Sequence, residues 1–81
     1  MNTRDAAYMT GLNYPGGVPA LAARMGMDAR DLSRKLNPNT GNLGLDEAIV
    51  LMVMSGDHRI LHAMADELGY TLAPQPDESS K

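Results

Sequence analysis

The sequence predicts an all-α domain of five short helices, and three features of the chain support that fold class. Apolar residues recur at helical spacing in five segments. Proline and glycine residues, which commonly end helices, separate those segments. Residues 18–37 have the spacing of a helix-turn-helix, in which two short helices meet at a tight turn. The length of 81 residues corresponds to one domain.

The first helix is predicted over residues 4–12, and the Pro- and Gly-containing segment 13–17 ends it. The candidates for its buried face are Ala6, Ala7, Met9 and Leu12. Pro19 belongs to the first turn of the second helix, where the missing N–H of proline is not needed. We expect that helix to run to Met25.

The second and third helices form the predicted helix-turn-helix. Gly26 is expected at the turn, since a residue without Cβ adopts a left-handed conformation readily. Asp28 is the predicted N-cap of the third helix, which covers about residues 28–37 and ends before Pro38. Ala22 is expected at the crossing of the two helices, where only a small side chain fits. Four apolar residues are expected to close the core between them: Leu21, Met25, Met27 and Leu32.

The fourth helix follows a loop at residues 39–44 and opens with Asp46 and Glu47, at the end where the helix dipole favours acidic residues. It is apolar on every side, which indicates burial on more than one side. The inward candidates are Leu45, Ala48, Ile49, Met52 and Val53. Ser55 and Gly56 end this helix.

The fifth helix is predicted to be capped by Asp57 and to end at Gly69. Its apolar residues are Ile60, Leu61, Met64, Ala65 and Leu68. We therefore predict a helix-turn-helix domain over residues 1–72 and a disordered, polar, proline-containing tail over residues 73–81.

The composition excludes several classes of protein. The chain has no cysteine, which excludes disulfides and thiolate metal sites. No apolar run approaches the roughly 20 residues that span a bilayer, and the polar N-terminus lacks the apolar core of a signal peptide. We therefore expect a soluble, cytoplasmic protein with no membrane contact. A core without Phe or Trp is small, and oligomerisation commonly stabilises so small a domain.

The net charge of −3 is distributed unevenly. Residues 24–38 hold four basic and two acidic side chains, whereas residues 46–81 hold seven acidic and two basic side chains. This polarity is typical of a DNA-binding protein that makes few phosphate contacts in each subunit. Such a protein is expected to bind as a dimer or larger assembly.

The third helix carries the predicted DNA interface. Arginine suits bidentate contact with the O6 and N7 of guanine, and Ser or Asn can bond base edges or phosphates. Arg24 and the loop at residues 39–42 are expected near the DNA backbone. The candidate DNA-binding residues are Arg24, Asp28, Ala29, Arg30, Ser33, Arg34, Lys35 and Asn37. The alternative interpretation is a solvated helix face on which Arg30 and Arg34 pair with Asp31 and similar neighbours.

Five blocks of the chain, in this order, resemble the CII-type regulatory proteins of temperate phages and prophages. The blocks are Tyr14–Gly17, Ala20–Met27, Lys35–Asn39, Leu45–Ala48 and Ser55–Ala63. The resemblance covers about residues 5–70. It implies a repressor-like fold, a role in transcription at the lysis–lysogeny decision, and a recognition helix that carries Arg30, Ser33, Arg34 and Lys35. One residue departs from the usual pattern, since Lys35 stands where a helix-turn-helix normally has an aliphatic residue.

Other motifs carry weaker signals. His58, His62 and Asp66 share one helix face at a spacing that can bind zinc, but without HExxH or any cysteine a solvated face is the preferred interpretation. Gly16 and Gly17 indicate a turn and not a phosphate-binding loop. No catalytic constellation is present, so we predict neither enzymatic activity, nor a cofactor, nor a metal.

The apolar excess of the fourth and fifth helices predicts a homodimer or homotetramer interface. The candidate interface residues are Val50, Leu51, Met54, Ile60 and Met64. A competing hypothesis keeps the helix-turn-helix as a scaffold and uses these two helices to bind a different protein. The two hypotheses differ in salt dependence, since DNA binding weakens steeply with added salt and an apolar protein contact does not.

Overall fold

The computed structural model describes residues 2–75, which contain five α-helices and no strand. The helices are α1 (Thr3–Asn13), α2 (Gly17–Met25), α3 (Ala29–Leu36), α4 (Leu45–Ser55) and α5 (Arg59–Leu68). The prediction of a five-helix all-α fold is confirmed. Of the predicted tail, residues 73–75 are exposed and form no helix, and residues 76–81 lie outside the described part of the chain.

Polar side chains fix the starts of three helices. Asn2 caps α1 by accepting a hydrogen bond from the Asp5 N–H at 2.8 Å. Asp28 caps α3, as predicted, and accepts from the Arg30 N–H at 2.7 Å. The prediction for α5 needs a correction, because His58 and not Asp57 is its N-cap residue. Asp57 lies one residue earlier, but its carboxylate still accepts from the Arg59 N–H at 3.1 Å.

The core lies where α1 and α2 pack against the other helices. α1 packs most extensively against α5, and α2 packs against α1, α3 and α4. The large side chains that are fully or almost fully buried are Leu21, Leu32, Leu51 and Ile60. Ala22 is fully buried, and Met25 and Met27 pack on the edge of the same core. The predicted contact between the two helices of the helix-turn-helix is therefore confirmed.

The orientation of α4 differs from the prediction. Leu45, Ile49 and Val53 were expected to face inward, yet 78%, 56% and 67% of these residues' surface is exposed. Ala48 and Leu51 are the buried residues of this helix. An apolar residue at almost every position gives no periodicity from which the inward face can be chosen. Contact with α1 and α2 on one side then decides the orientation.

Two predicted interface residues belong to the core. Leu51 is fully buried and Ile60 is 2% exposed, so neither side chain is available to a second protein. Their prediction as oligomer-interface residues is therefore corrected. Val50 is 40% exposed, and Met54 and Met64 are half-buried against the core. A small domain has few large aliphatic residues, and this fold uses both Leu51 and Ile60 to fill its centre.

Gly41 holds the loop between α3 and α4 in a tight conformation. A Cβ at Gly41 would overlap the backbone carbonyl oxygens of Lys35 and Asn37, which cannot rotate away as a side chain can. We expect Gly41→Ala to lower the free energy of unfolding by about 1–3 kcal/mol, measured by urea denaturation. Gly44→Ala is the matched control, because the nearest atom there is the flexible end of the Glu47 side chain at 3.3 Å. Equal losses in the two variants would contradict this explanation.

Candidate nucleic-acid interface

The turn between α2 and α3 sets the position of α3. Gly26 ends α2 with a left-handed backbone at φ 71°, where a side chain would be strained. The Gly26 N–H donates to the Ala23 carbonyl at 3.1 Å, and the Met27 N–H donates to the Ala22 carbonyl at 2.9 Å. These bonds satisfy carbonyls at the end of α2. Two residues later Asp28 caps α3, so backbone and side-chain hydrogen bonds fix both ends of the turn.

The polar residues of α3 lie together on its exposed side. Leu32 and Leu36 are buried and hold α3 against the domain. Residues three and four positions apart on a helix are neighbours on its surface. Four exposed residues at that spacing form what we call the α3 outer face: Arg30, Ser33, Arg34 and Asn37. The structure thus brings together four of the predicted DNA-binding residues on one surface.

The two arginines of the α3 outer face differ in their partners. Arg34 forms an ion pair with Asp31, and the side chains are 74% and 53% exposed. Exposed ion pairs typically contribute about 0–1 kcal/mol, so a stronger anionic or bidentate partner can displace Asp31. Among residues 2–75, no acidic side chain lies within ion-pair distance of Arg30. The alternative interpretation of a self-paired helix face therefore describes Arg34 and not Arg30.

Asn37 joins the α3 outer face to the following loop. Its side-chain oxygen accepts a hydrogen bond from the Asn39 N–H at 2.8 Å. The side-chain NH₂ remains as a donor on the surface. Arg4 of α1 donates to the Asn39 carbonyl at 3.3 Å, which adds a cation beside this loop. Sequence reasoning missed Arg4, because Arg4 and Asn39 are 35 positions apart and only the tertiary fold brings them together.

Lys35 lies apart from the α3 outer face. Its side chain is 34% exposed and its Nζ is 3.0 Å from Glu47 Oε2, at the first turn of α4. Glu47 Oε1 also accepts from the Gly44 N–H at 2.9 Å. The Gly44 hydrogen bond first, and the Lys35 ammonium second, hold the pKa of Glu47 below its usual value. The positive charge of Lys35 is therefore paired with the carboxylate of Glu47 in α4.

The remaining predicted DNA-binding residues lie at the edges of the motif. Arg24 is exposed in the last turn of α2. The Asp28 carboxylate is engaged as the α3 cap. Ala29 is half-buried and packs on the edge of the core. Asp28 and Ala29 thus mark the N-terminal end of α3, whereas Arg24 lies next to the turn and forms no ion pair with any residue of the described range 2–75.

Two further features of the described residues concern metal binding and membrane insertion. His58, His62 and Asp66 are not brought together as a metal-binding group, and no cluster of three or more His, Cys, Asp or Glu residues occurs within the described range. Across residues 2–75, every helix is too short or too polar to cross a membrane.

Comparison with known proteins connects this arrangement to one family. The family model of phage regulatory protein CII (CP76) matches residues 1–81. No curated protein and no solved structure matches the chain. The match includes the α2–α3 motif and all five helices, in agreement with the resemblance found in the sequence blocks. The chain therefore belongs to the phage regulatory protein CII (CP76) family.

Proposed function

We propose that this protein is a sequence-specific DNA-binding regulator of transcription, of phage or prophage origin, that acts in the cytoplasm of its host cell. The observation that carries the proposal is the α3 outer face. It places two exposed arginines one helical turn apart, on a helix whose orientation is fixed by the Gly26 turn and the Asp28 cap. Membership in a family of phage regulatory proteins supports the same conclusion.

In this proposal α3 enters the major groove as a recognition helix. Arg30 and Arg34 contact guanines through two hydrogen bonds each, and Arg34 exchanges Asp31 for the base. Ser33 and the NH₂ group of Asn37 bind base edges or phosphates. Arg24 and the loop at residues 39–42 contact the DNA backbone at the two ends of the motif.

The proposal is tested by selecting bound duplexes from a random-sequence pool with the wild-type protein and with the Arg30→Ala/Arg34→Ala double variant. We expect the wild-type protein to enrich one sequence motif and the variant to enrich none. If two copies bind as a dimer, the motif contains two half-sites about 10 base pairs, or a multiple of that, apart. Failure of the wild-type protein to enrich any motif would contradict the proposal.

We propose that the protein binds DNA as a homodimer whose two copies pair through α4, or as a homotetramer assembled from such dimers. Leu45, Ile49, Val50 and Val53 are exposed together on this helix, and we call them the α4 stripe. No charged residue occurs between Ala48 and Ser55. A second copy presents the same stripe, so the two can pack through Ile49, Val50 and Val53 across a two-fold axis without burying a charge. Because few basic residues lie near α3, one copy makes few phosphate contacts, and this also favours two copies that bind two half-sites.

Substitution of the α4 stripe tests the oligomer. Val53→Lys places a charge where 67% of the residue is exposed in the monomer, so the fold is expected to persist. Across a two-fold interface the same change buries two like charges near each other. We expect the self-association constant, measured by sedimentation, to fall at least tenfold. Leu68→Lys on α5, at a residue that is 73% exposed, is the control and should leave it unchanged.

Two outcomes would contradict the α4 assignment. An unchanged association constant in Val53→Lys would place the interface elsewhere. A monomeric wild-type protein would remove the need for a self-interface altogether. The competing hypothesis, in which α4 and α5 bind a different protein, would then account for the exposed apolar residues.

A further inference from the structure

Lys35 is the residue of α3 that departs from the usual helix-turn-helix pattern, and the structure gives it a specific partner. It follows Leu32 by three positions, on the side of α3 that turns toward α4. An aliphatic side chain there would pack on apolar neighbours. The Lys35 side chain is instead 34% exposed and brings its ammonium to Glu47, 3.2 Å from Oε1 and 3.0 Å from Oε2.

A second hydrogen bond, separate from the contact with Lys35, holds the Glu47 carboxylate in place. Glu47 is the third residue of α4, and its Oε1 accepts the N–H of the N-cap residue Gly44 at 2.9 Å. This bond belongs to the helix start and fixes the carboxylate against the end of α3. Glu47 therefore connects the last turn of the recognition helix to the first turn of α4.

A lysine on a recognition helix has a predictable effect on DNA binding when it is free. Each phosphate that a cation neutralises raises affinity for every sequence alike and steepens the fall of log K with log salt concentration by about 0.9. Affinity of this kind increases the amount of protein bound to unrelated DNA, which is present in large excess. An acidic partner that pairs the lysine within the protein removes that contribution.

We propose that Glu47 is a positioning residue that keeps Lys35 away from DNA phosphates and so limits binding to unrelated sequences. The inference rests on the proposed function and deepens it. It divides the cations of α3 into two classes. Arg30 and Arg34 are available to DNA, whereas Lys35 is retained by α4.

The test compares the salt dependence of binding to an unrelated duplex. Glu47→Gln keeps a side-chain oxygen for the Gly44 N–H but removes the charge that pairs with Lys35. We expect its slope of log K against log salt concentration to be steeper by about 0.9 than the wild-type slope. In the Glu47→Gln/Lys35→Met double variant we expect the slope to return to the wild-type value. Lys35→Met alone is expected to change the slope by no more than a change of one net charge does, because Lys35 makes no phosphate contact in the wild-type protein.

Asp46→Asn is the matched control. It removes one negative charge from the neighbouring position of the same helix, where no ion pair with Lys35 exists. It therefore reports the effect of net charge alone, and we expect less than half of the change seen in Glu47→Gln. Circular dichroism melting of each variant verifies that the compared proteins are folded.

Three results would overturn the inference. A slope in Glu47→Gln equal to that of Asp46→Asn would show that Glu47 acts through net charge or structure alone. A slope in Lys35→Met that is shallower than the wild-type slope by more than the change seen in Asp46→Asn would show that Lys35 contacts a phosphate in the wild-type protein. In both cases wild-type binding remains, which separates them from a failure of the proposed function. Absence of wild-type binding to any duplex would overturn the function and this inference together.

Discussion

Arg34→Ala is expected to weaken binding to the preferred duplex by about 1–3 kcal/mol, or about five- to 150-fold in affinity. The reason is the loss of the bidentate contact to guanine that the proposed function assigns to Arg34. Arg34 must leave its ion pair with Asp31 to make this contact, but the ion pair is weak because both side chains are largely exposed. It therefore reduces the expected loss of affinity only slightly. The measurement is fluorescence anisotropy on the preferred duplex and on duplexes with single base-pair changes. Discrimination at one base pair should be lost in the variant.

Arg34→Lys is the control that separates base contact from charge. Lysine keeps the positive charge but lacks the planar fork that binds two acceptors of one guanine. We expect Arg34→Lys to retain the wild-type salt dependence and still lose discrimination at that base pair. An equal loss of affinity for all duplexes in Arg34→Ala, restored by Arg34→Lys, would instead identify a phosphate contact.

Leu51→Ala is expected to lower the free energy of unfolding by about 2–5 kcal/mol. Leu51 is fully buried between α4 and the rest of the core, so truncation leaves a cavity as well as losing apolar burial. A domain of 81 residues is stable by about 4–12 kcal/mol at typical values per residue. The variant is therefore expected to lose a large fraction of its stability in urea denaturation.

Val53→Ala on the same helix is the comparison, measured at protein concentrations below those of self-association. Val53 is 67% exposed, and surface substitutions usually change stability by less than about 0.5 kcal/mol. A similar loss in the two variants would contradict the orientation of α4 described above. A large loss in Leu51→Ala alone would confirm that Leu51 belongs to the core and not to an oligomer interface.

The helix-turn-helix was predictable from the sequence because its signals are local. Gly26 supplies a left-handed helix end, and Asp28 caps the next helix through its own near neighbours. The orientation of α4 was not predictable, because Ile49, Val50 and Leu51 are all large and aliphatic. Apolar side chains therefore occur on nearly every side of the helix. Only packing against α1 and α2 places Leu51 in the core.

The candidate site was likewise predictable from the sequence only in part. The α3 outer face follows from helical spacing, and the structure presents Arg30, Ser33, Arg34 and Asn37 as the sequence predicted. The pairing of Lys35 with Glu47 joins residues 12 positions apart, on two different helices. The acidic third position of α4 signalled a helix start, but nothing local showed that the same carboxylate also reaches α3. The tertiary fold therefore pairs one cation of the predicted interface with a carboxylate of α4.

The most direct test of the central claim is an anisotropy titration with duplexes that tile the DNA next to the gene for this chain. The titration is made at two salt concentrations, with the Arg30→Ala/Arg34→Ala double variant alongside. We expect one or a few duplexes to bind at least a thousandfold more tightly than the others, with affinity that falls steeply with salt. We expect the double variant to lose that preference. Equal binding of all duplexes by both proteins, or no binding at all, would contradict the account.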